Sequence, residues 1–296
     1  MAIALHTSQR LGREVHQVVD NHLKSINKIL MQANAAQRDE VVHDTRTGMK
    51  RMRAFLRLLR AGIGKSAYRL ADEQSKALAG NLSDNRDARV LLDTMEQLLQ
   101  EIYDHECCER LRGPVFEHYH AASLDDTGLE PLEHARTCLR RLQKEARHWH
   151  LKTYDQKALR AAIAGEYDAG RQHWQQIQQQ PEAEQLHRWR KQVKRFYYQF
   201  SLLFPTHQHK QRARLKMLGE YLGQLHDLAI LQDYLNSHRR AFWTDDLVRL
   251  KHVSAGREQV LLEQVLQLAP KAYRQPCGSY SRKLIRRWRD LDQANS

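Results

Sequence analysis

Glycine and proline are scarce, at 13 and 6 in 296 residues. So few turn-formers cannot supply the many tight connections of an all-β fold. Long apolar runs are missing as well. No stretch approaches the roughly 18 consecutive apolar residues of a membrane-spanning helix, so no membrane segment is expected. The N-terminus, Met1-Ala2-Ile3-Ala4-Leu5-His6, has no cationic flank and no long apolar run, unlike a secretory signal. Cysteine is rare and irregular. Cys107, Cys108, Cys138 and Cys277 form neither a C-x-x-C pair nor a regular framework. Zinc and disulfides are therefore disfavoured, and reduced thiols in a cytoplasmic compartment are expected.

Positive charge, by contrast, is abundant. Lys and Arg number 48 against 35 Asp and Glu, a net +13 with histidines neutral. Apolar residues make up 41%, enough for a folded core. A sequence pI near 9.7 directs attention to a polyanionic partner: nucleic acid, anionic lipid or a phosphate polymer.

Apolar spacing of three and four predicts helices throughout. The first spans Ser8 to Met31, and a second runs from about Asp39 to the Gly62-Ile63-Gly64 stop. Further helices are expected over Lys65–Leu82, about Asp84–Leu111 with Gly113-Pro114 as the break, and from near Pro131. Ser123–Gly128 reads as a polar loop. The boundary between two halves, 1–150 and 151–296, falls in the broken pattern of His150–Asp155. Beyond it, helices are predicted over Gln156–Gln179, Pro181–Phe204, His207–Asn236, Asp245–Leu268 and Ser279–Leu291. The expected fold class is all-α.

The chain also repeats itself. His43-x-x-Arg46-x-x-x-Lys50-Arg51 recurs 144 residues later as His187-x-x-Arg190-x-x-x-Lys194-Arg195. Lys76-Ala77-Leu78 with Leu82, Arg86-Asp87 and Leu91 recurs 140 residues later as Lys216-Met217-Leu218 with Leu222, His226-Asp227 and Leu231. On a helical wheel His43, Arg46, Lys50, Arg53, Arg57 and Arg60 fill a sector about 100° wide and roughly 25 Å long. Val42, Met49, Met52, Leu56, Leu59 and Ile63 form an apolar stripe beside it. One side of the helix can enter a core while the next presents cations. An ordinary solvated basic face is the plainer alternative. Arginine dominance favours phosphate, because its planar fork of donors matches phosphate oxygens.

These doubled motifs resemble the CHAD family, the conserved-histidine α-helical domain, over roughly Ser8 to Leu291. The resemblance implies two pseudo-symmetric helical bundles around a central basic groove that binds inorganic polyphosphate, in a protein associated with polyphosphate granules. Carried over by position, the binding set is His43, Arg46, Lys50, Arg53 and Arg57 in the first half. The second half contributes His187, Arg190, Lys191, Lys194 and Arg195, with Lys76, Arg86, Lys216 and His226 as further candidates. Tyr197 and Ser201 stand where the first half has Arg53 and Arg57, and Ser83 replaces the family's usual glycine. The Glu-x-Glu-x-Lys signature of the triphosphatase module fused to some relatives is not found. The expectation is a non-catalytic binder without metal or cofactor.

Two rival readings remain at this level. His43-Asp44 and His226-Asp227 match the dipeptide of HD-type metal-dependent phosphohydrolases. Asp44 lies among cations, however, and the repeat accounts for both dipeptides. A basic nucleic-acid binder fits the net charge, but the stripe offers no platform for stacking bases, so nucleic acid is expected to bind at most non-specifically. The pairs His118/His120, His148/His150 and His207/His209 are two apart, a spacing that puts them on different helix faces. The tail Arg282, Lys283, Arg286, Arg287 and Arg289 reads as a solvated face.

Overall fold

A computed structural model describes residues 5, 11–32, 37–80, 82, 84–124, 130–179, 181–205 and 210–294. Among them there are eleven α-helices and no strand. The helices are α1 (Leu11–Met31), α2 (Arg38–Ile63), α3 (Lys65–Gly80), α4 (Asp84–Leu99), α5 (His105–Leu124) and α6 (Glu130–Ala146). After them come α7 (Gln156–Ile177), α8 (Ala183–Leu203), α9 (Lys210–Ser237), α10 (Thr244–Tyr273) and α11 (Cys277–Ala294). The fold is all-α, as composition and periodicity predict.

Several ends have a local cause. Gly64 adopts φ 83°, the left-handed conformation favoured by glycine, and its N–H closes α2 on the Arg60 carbonyl. Asp155 caps α7 by accepting from the Ala158 N–H at 2.8 Å. Asp104 accepts from the Cys107 N–H at 3.0 Å at the start of α5.

That last cap corrects the sequence-based expectation. The helix predicted over Asp84–Leu111 ends at Leu99, and α5 begins at His105 and runs through Gly113-Pro114. Proline removes one helical hydrogen bond at a cost of about 3 kcal/mol. Here Leu111 and Val115 are fully buried on either side, and the Tyr234 hydroxyl donates to the Pro114 carbonyl at 3.3 Å. Tertiary packing overrides local propensity in the same way at Pro270, where α10 continues past the expected Leu268 to the buried Tyr273.

The apolar core draws on all eleven helices. α2 buries Met49, Met52, Leu56 and Leu59, as its sequence stripe predicts. α8 buries Trp189, Val193, Phe196 and Phe200 at the same helical spacing. The main packed pairs are α1–α2, α2–α3, α4–α5 and α1–α6, then α7–α8, α8–α9, α9–α10 and α7–α11. Contacts α2–α8 and α4–α9 join the two sets. At the first of these junctions the buried Gln199 side chain donates to the Ala54 carbonyl at 2.9 Å.

Candidate functional site

The two motif helices, α2 and α8, meet at this Ala54–Gln199 junction, and their cations gather around it. Arg51 lies over the Tyr198 ring, 5.7 Å from its centroid. Arg195 on α8 feels the charges of Arg57 and Arg53 on α2. Burial is the larger influence, and together these effects push the Arg195 guanidinium below its ordinary range, against the pull of Glu166. Glu166 is 3.5 Å from Arg195 and also accepts from the Gln192 amide at 2.9 Å. Arg53 makes a two-pronged pair with Asp72 of α3, at 2.8 and 3.2 Å. Among the described residues no acid pairs with Arg57.

Toward the start of α2, Arg46 reaches the end of α3. Its Nη1 donates to the Ala79 and Leu82 carbonyl oxygens at 3.1 and 3.0 Å, satisfying acceptors that a helix C-terminus leaves open. The Arg53–Asp72 and Arg46–Ala79 contacts fix an antiparallel register of α2 and α3, the helices that carry Lys50 and Lys76. Both lysines are exposed, as is His43.

On the α8–α9 pair the same motif is built differently. α9 runs unbroken over the repeated Lys216–Leu231 segment, whereas the matching Lys76–Leu91 segment passes from α3 to α4. Arg190 lies across Gly223 and Lys194 across Gly219; a Cβ at either glycine would stand 3.4 Å from the side chain above it. Two cationic side chains thus run along α9, at a distance that would bring a Cβ into ordinary van der Waals contact. One turn before Arg190, the His187 ring faces His226, with centroids 3.8 Å apart. Lys191 is exposed beside them, and Lys216 is an exposed cation 3.7 Å from Glu220. The Gly219-x-x-x-Gly223 spacing was legible in the sequence but is not among the predicted site features.

The CHAD domain family model matches residues 18–236, well over half of the chain. This chain belongs to the CHAD domain family. A search of solved structures finds similarity to the crystal structure of the CHAD domain from the plant Ricinus communis, at TM-score 0.53 and 17% identity, covering 97% of this chain and 94% of that one. No curated protein matches.

Within this CHAD chain the predicted residues separate by what they touch. Arg46, Arg53 and Arg195 are committed to internal carbonyls or carboxylates. Lys50, Lys76 and Lys191 are exposed on α2, α3 and α8, and Arg57 is half-buried on α2. His187, Arg190, Lys194 and His226 form one cluster on α8–α9. The Arg86 side chain lies outside the described residues. A cavity of about 1120 Å³ between the start of α1 and residues 147–157 contains none of the candidates. Among the described residues no group of three or more His, Cys, Asp or Glu is placed to hold a metal ion, and no helix is long and apolar enough to cross a membrane.

Proposed function

We propose that this CHAD domain binds inorganic polyphosphate without catalysing a reaction, in the cytoplasm and on polyphosphate granules. The observation that carries the reading is the convergence of Arg53, Arg57 and Arg195 from both motif helices at the α2–α8 junction, where Asp72 and Glu166 are the partnered acids. Three arginines against two acids leave the junction positive, which favours a polyanion. A phosphate chain has dense charge and no bases to read, so cationic donors on rigid helices suffice.

Residues 1–150 and 151–296 form two related halves in this reading. Its support is the matching order of helix pairings, α1–α2, α2–α3, α4–α5 and α1–α6 against α7–α8, α8–α9, α9–α10 and α7–α11. The junction follows the same logic: Arg51 meets Tyr198, and Arg195, 144 residues after Arg51, approaches the α2 segment around Ala54, 144 before Tyr198. The bound chain would lie in a basic groove between the halves.

Nucleic acid is the second reading, on net charge and the Tyr198 ring. That ring already carries the Arg51 guanidinium, which leaves less of it for a base. Titration with long-chain polyphosphate separates the two. Affinity is expected to fall with salt by about 0.7 log units per phosphate contact for each tenfold rise. Polyphosphate should displace bound DNA or RNA at lower total phosphate. Arg57→Ala with Lys191→Ala should weaken binding at least about tenfold, or 1.4 kcal/mol. Unchanged affinity in this variant, or nucleic acid as the stronger competitor, would defeat the proposal.

A further inference from the structure

Attraction between fixed cations and phosphate makes no use of the His187–His226 ring pair. The ring planes are 36° apart with centroids at 3.8 Å, too close for two imidazolium ions without a counter-charge. His187 Nδ1 is enclosed with no hydrogen-bond partner. Arg190 and Lys191 on α8 repel a proton from either ring, and Glu184 draws one toward His187. On α9, Asp227 follows His226 but lines a cavity on the α4 and α10 side, with Asp93, Glu101 and Arg257. α7, packed on α8, brings Glu166, which is held by Gln192 and Arg195. α2 brings Arg51, which is seated on Tyr198. Arg190 and Lys191 act on both rings and disfavour the imidazolium form of each. Burial first, then these neighbours, hold His187 below the ordinary imidazole range and His226 at about 4.

We propose that the His187–His226 pair is a proton-coupled phosphate clamp: a phosphate chain laid along Arg190 and Lys191 draws a proton from solvent onto the pair, and the complex tightens as pH falls. The clamp rests on the polyphosphate reading. The ligand supplies the missing counter-charge, and the imidazolium N–H donates to a phosphate oxygen. The bound state holds more protons than the free state, so affinity rises toward acid pH. A ligand that only restored His226 to its ordinary 6.5 would raise affinity about fourfold between pH 8 and pH 6, with uptake of about 0.7 proton at pH 6.

Calorimetric titration of the full chain with long-chain polyphosphate, whose titrating chain ends are few, measures this directly. At pH 6, buffers of different ionisation enthalpy report the protons taken up. His226→Asn and His187→Asn, checked for helicity by circular dichroism, should bring the ratio of affinities at pH 6 and pH 8 close to one. No proton uptake by the unaltered protein overturns the clamp even if both variants misfold, and so do folded variants that keep the full ratio. In either case polyphosphate would still bind. Failure of polyphosphate to bind at any pH instead removes the underlying reading, and the clamp with it.

Discussion

His22 on α1 packs its ring against Phe55, and its Nε2 donates to the Gly48 carbonyl oxygen at 2.8 Å. It is 2% exposed, and burial outweighs that hydrogen bond and, with Arg51 nearby, lowers its pKa to about 4. The unfolded chain therefore binds more protons than the folded one below about pH 6.5, and stability falls as pH drops from there toward 4. Between pH 7 and pH 5 the loss is about 2 kcal/mol from this residue. Urea unfolding at both values should show it, and His22→Gln should remove that part of the pH dependence. An undiminished dependence in the variant would place the titrating group elsewhere. Arginine is equally divided in its tasks: Arg46 satisfies the end of α3, Arg53 holds Asp72, and Arg57 has no acidic partner among the described residues. The repeat keeps Arg46 as Arg190 but has Tyr197 and Ser201 in place of Arg53 and Arg57, so it does not tell which of those two meets an acid. Asp72 and Glu166 lie on other helices, where only the fold reveals them.

At the scale of the helix, close approach depends on where side chains are left out. Gly170 on α7 faces Tyr273, and a Cβ there would come within 2.6 Å of the fully buried phenol ring. Gly165, one and a half turns earlier, has nothing within 4 Å among the described residues. Alanine favours a helix interior by about 1 kcal/mol over glycine, so Gly165→Ala should stabilise the protein by up to that amount. Gly170→Ala should instead destabilise it by about 1–3 kcal/mol, because a rigid ring must move. Thermal unfolding of the two variants compares them, and a stabilising Gly170→Ala would show that α7 and α10 can separate freely. The same logic marks what sequence could foretell. The stop at Gly64 and the start at Asp155 were legible, because each is set by a residue's own backbone chemistry or side chain. The run of α5 through Pro114 was not, because the burial of Leu111 and Val115 against other helices decides it. The α3–α4 break and the unbroken α9 were legible as well: separate helices were expected over Lys65–Leu82 and from Asp84, against one over His207–Asn236.

For the molecule as a whole, a net charge of +13 opposes compaction, and part of that opposition is concentrated where Arg53, Arg57 and Arg195 approach one another. A ligand able to neutralise this region stabilises the fold by mass action. Salt then acts with opposite signs on the free and the bound protein. Free, the repulsion is screened, and the melting temperature should rise between about 50 and about 300 mM NaCl. With polyphosphate at a concentration just saturating at the lower salt, the same increase weakens binding, and the melting temperature should fall. The two melting temperatures should approach each other as salt increases. Because one apolar core reaches through all the helices, the ligand should shift the entire transition instead of splitting it. Parallel salt dependences with and without polyphosphate would mean that the ligand is not held by the cations crowded at the α2–α8 junction.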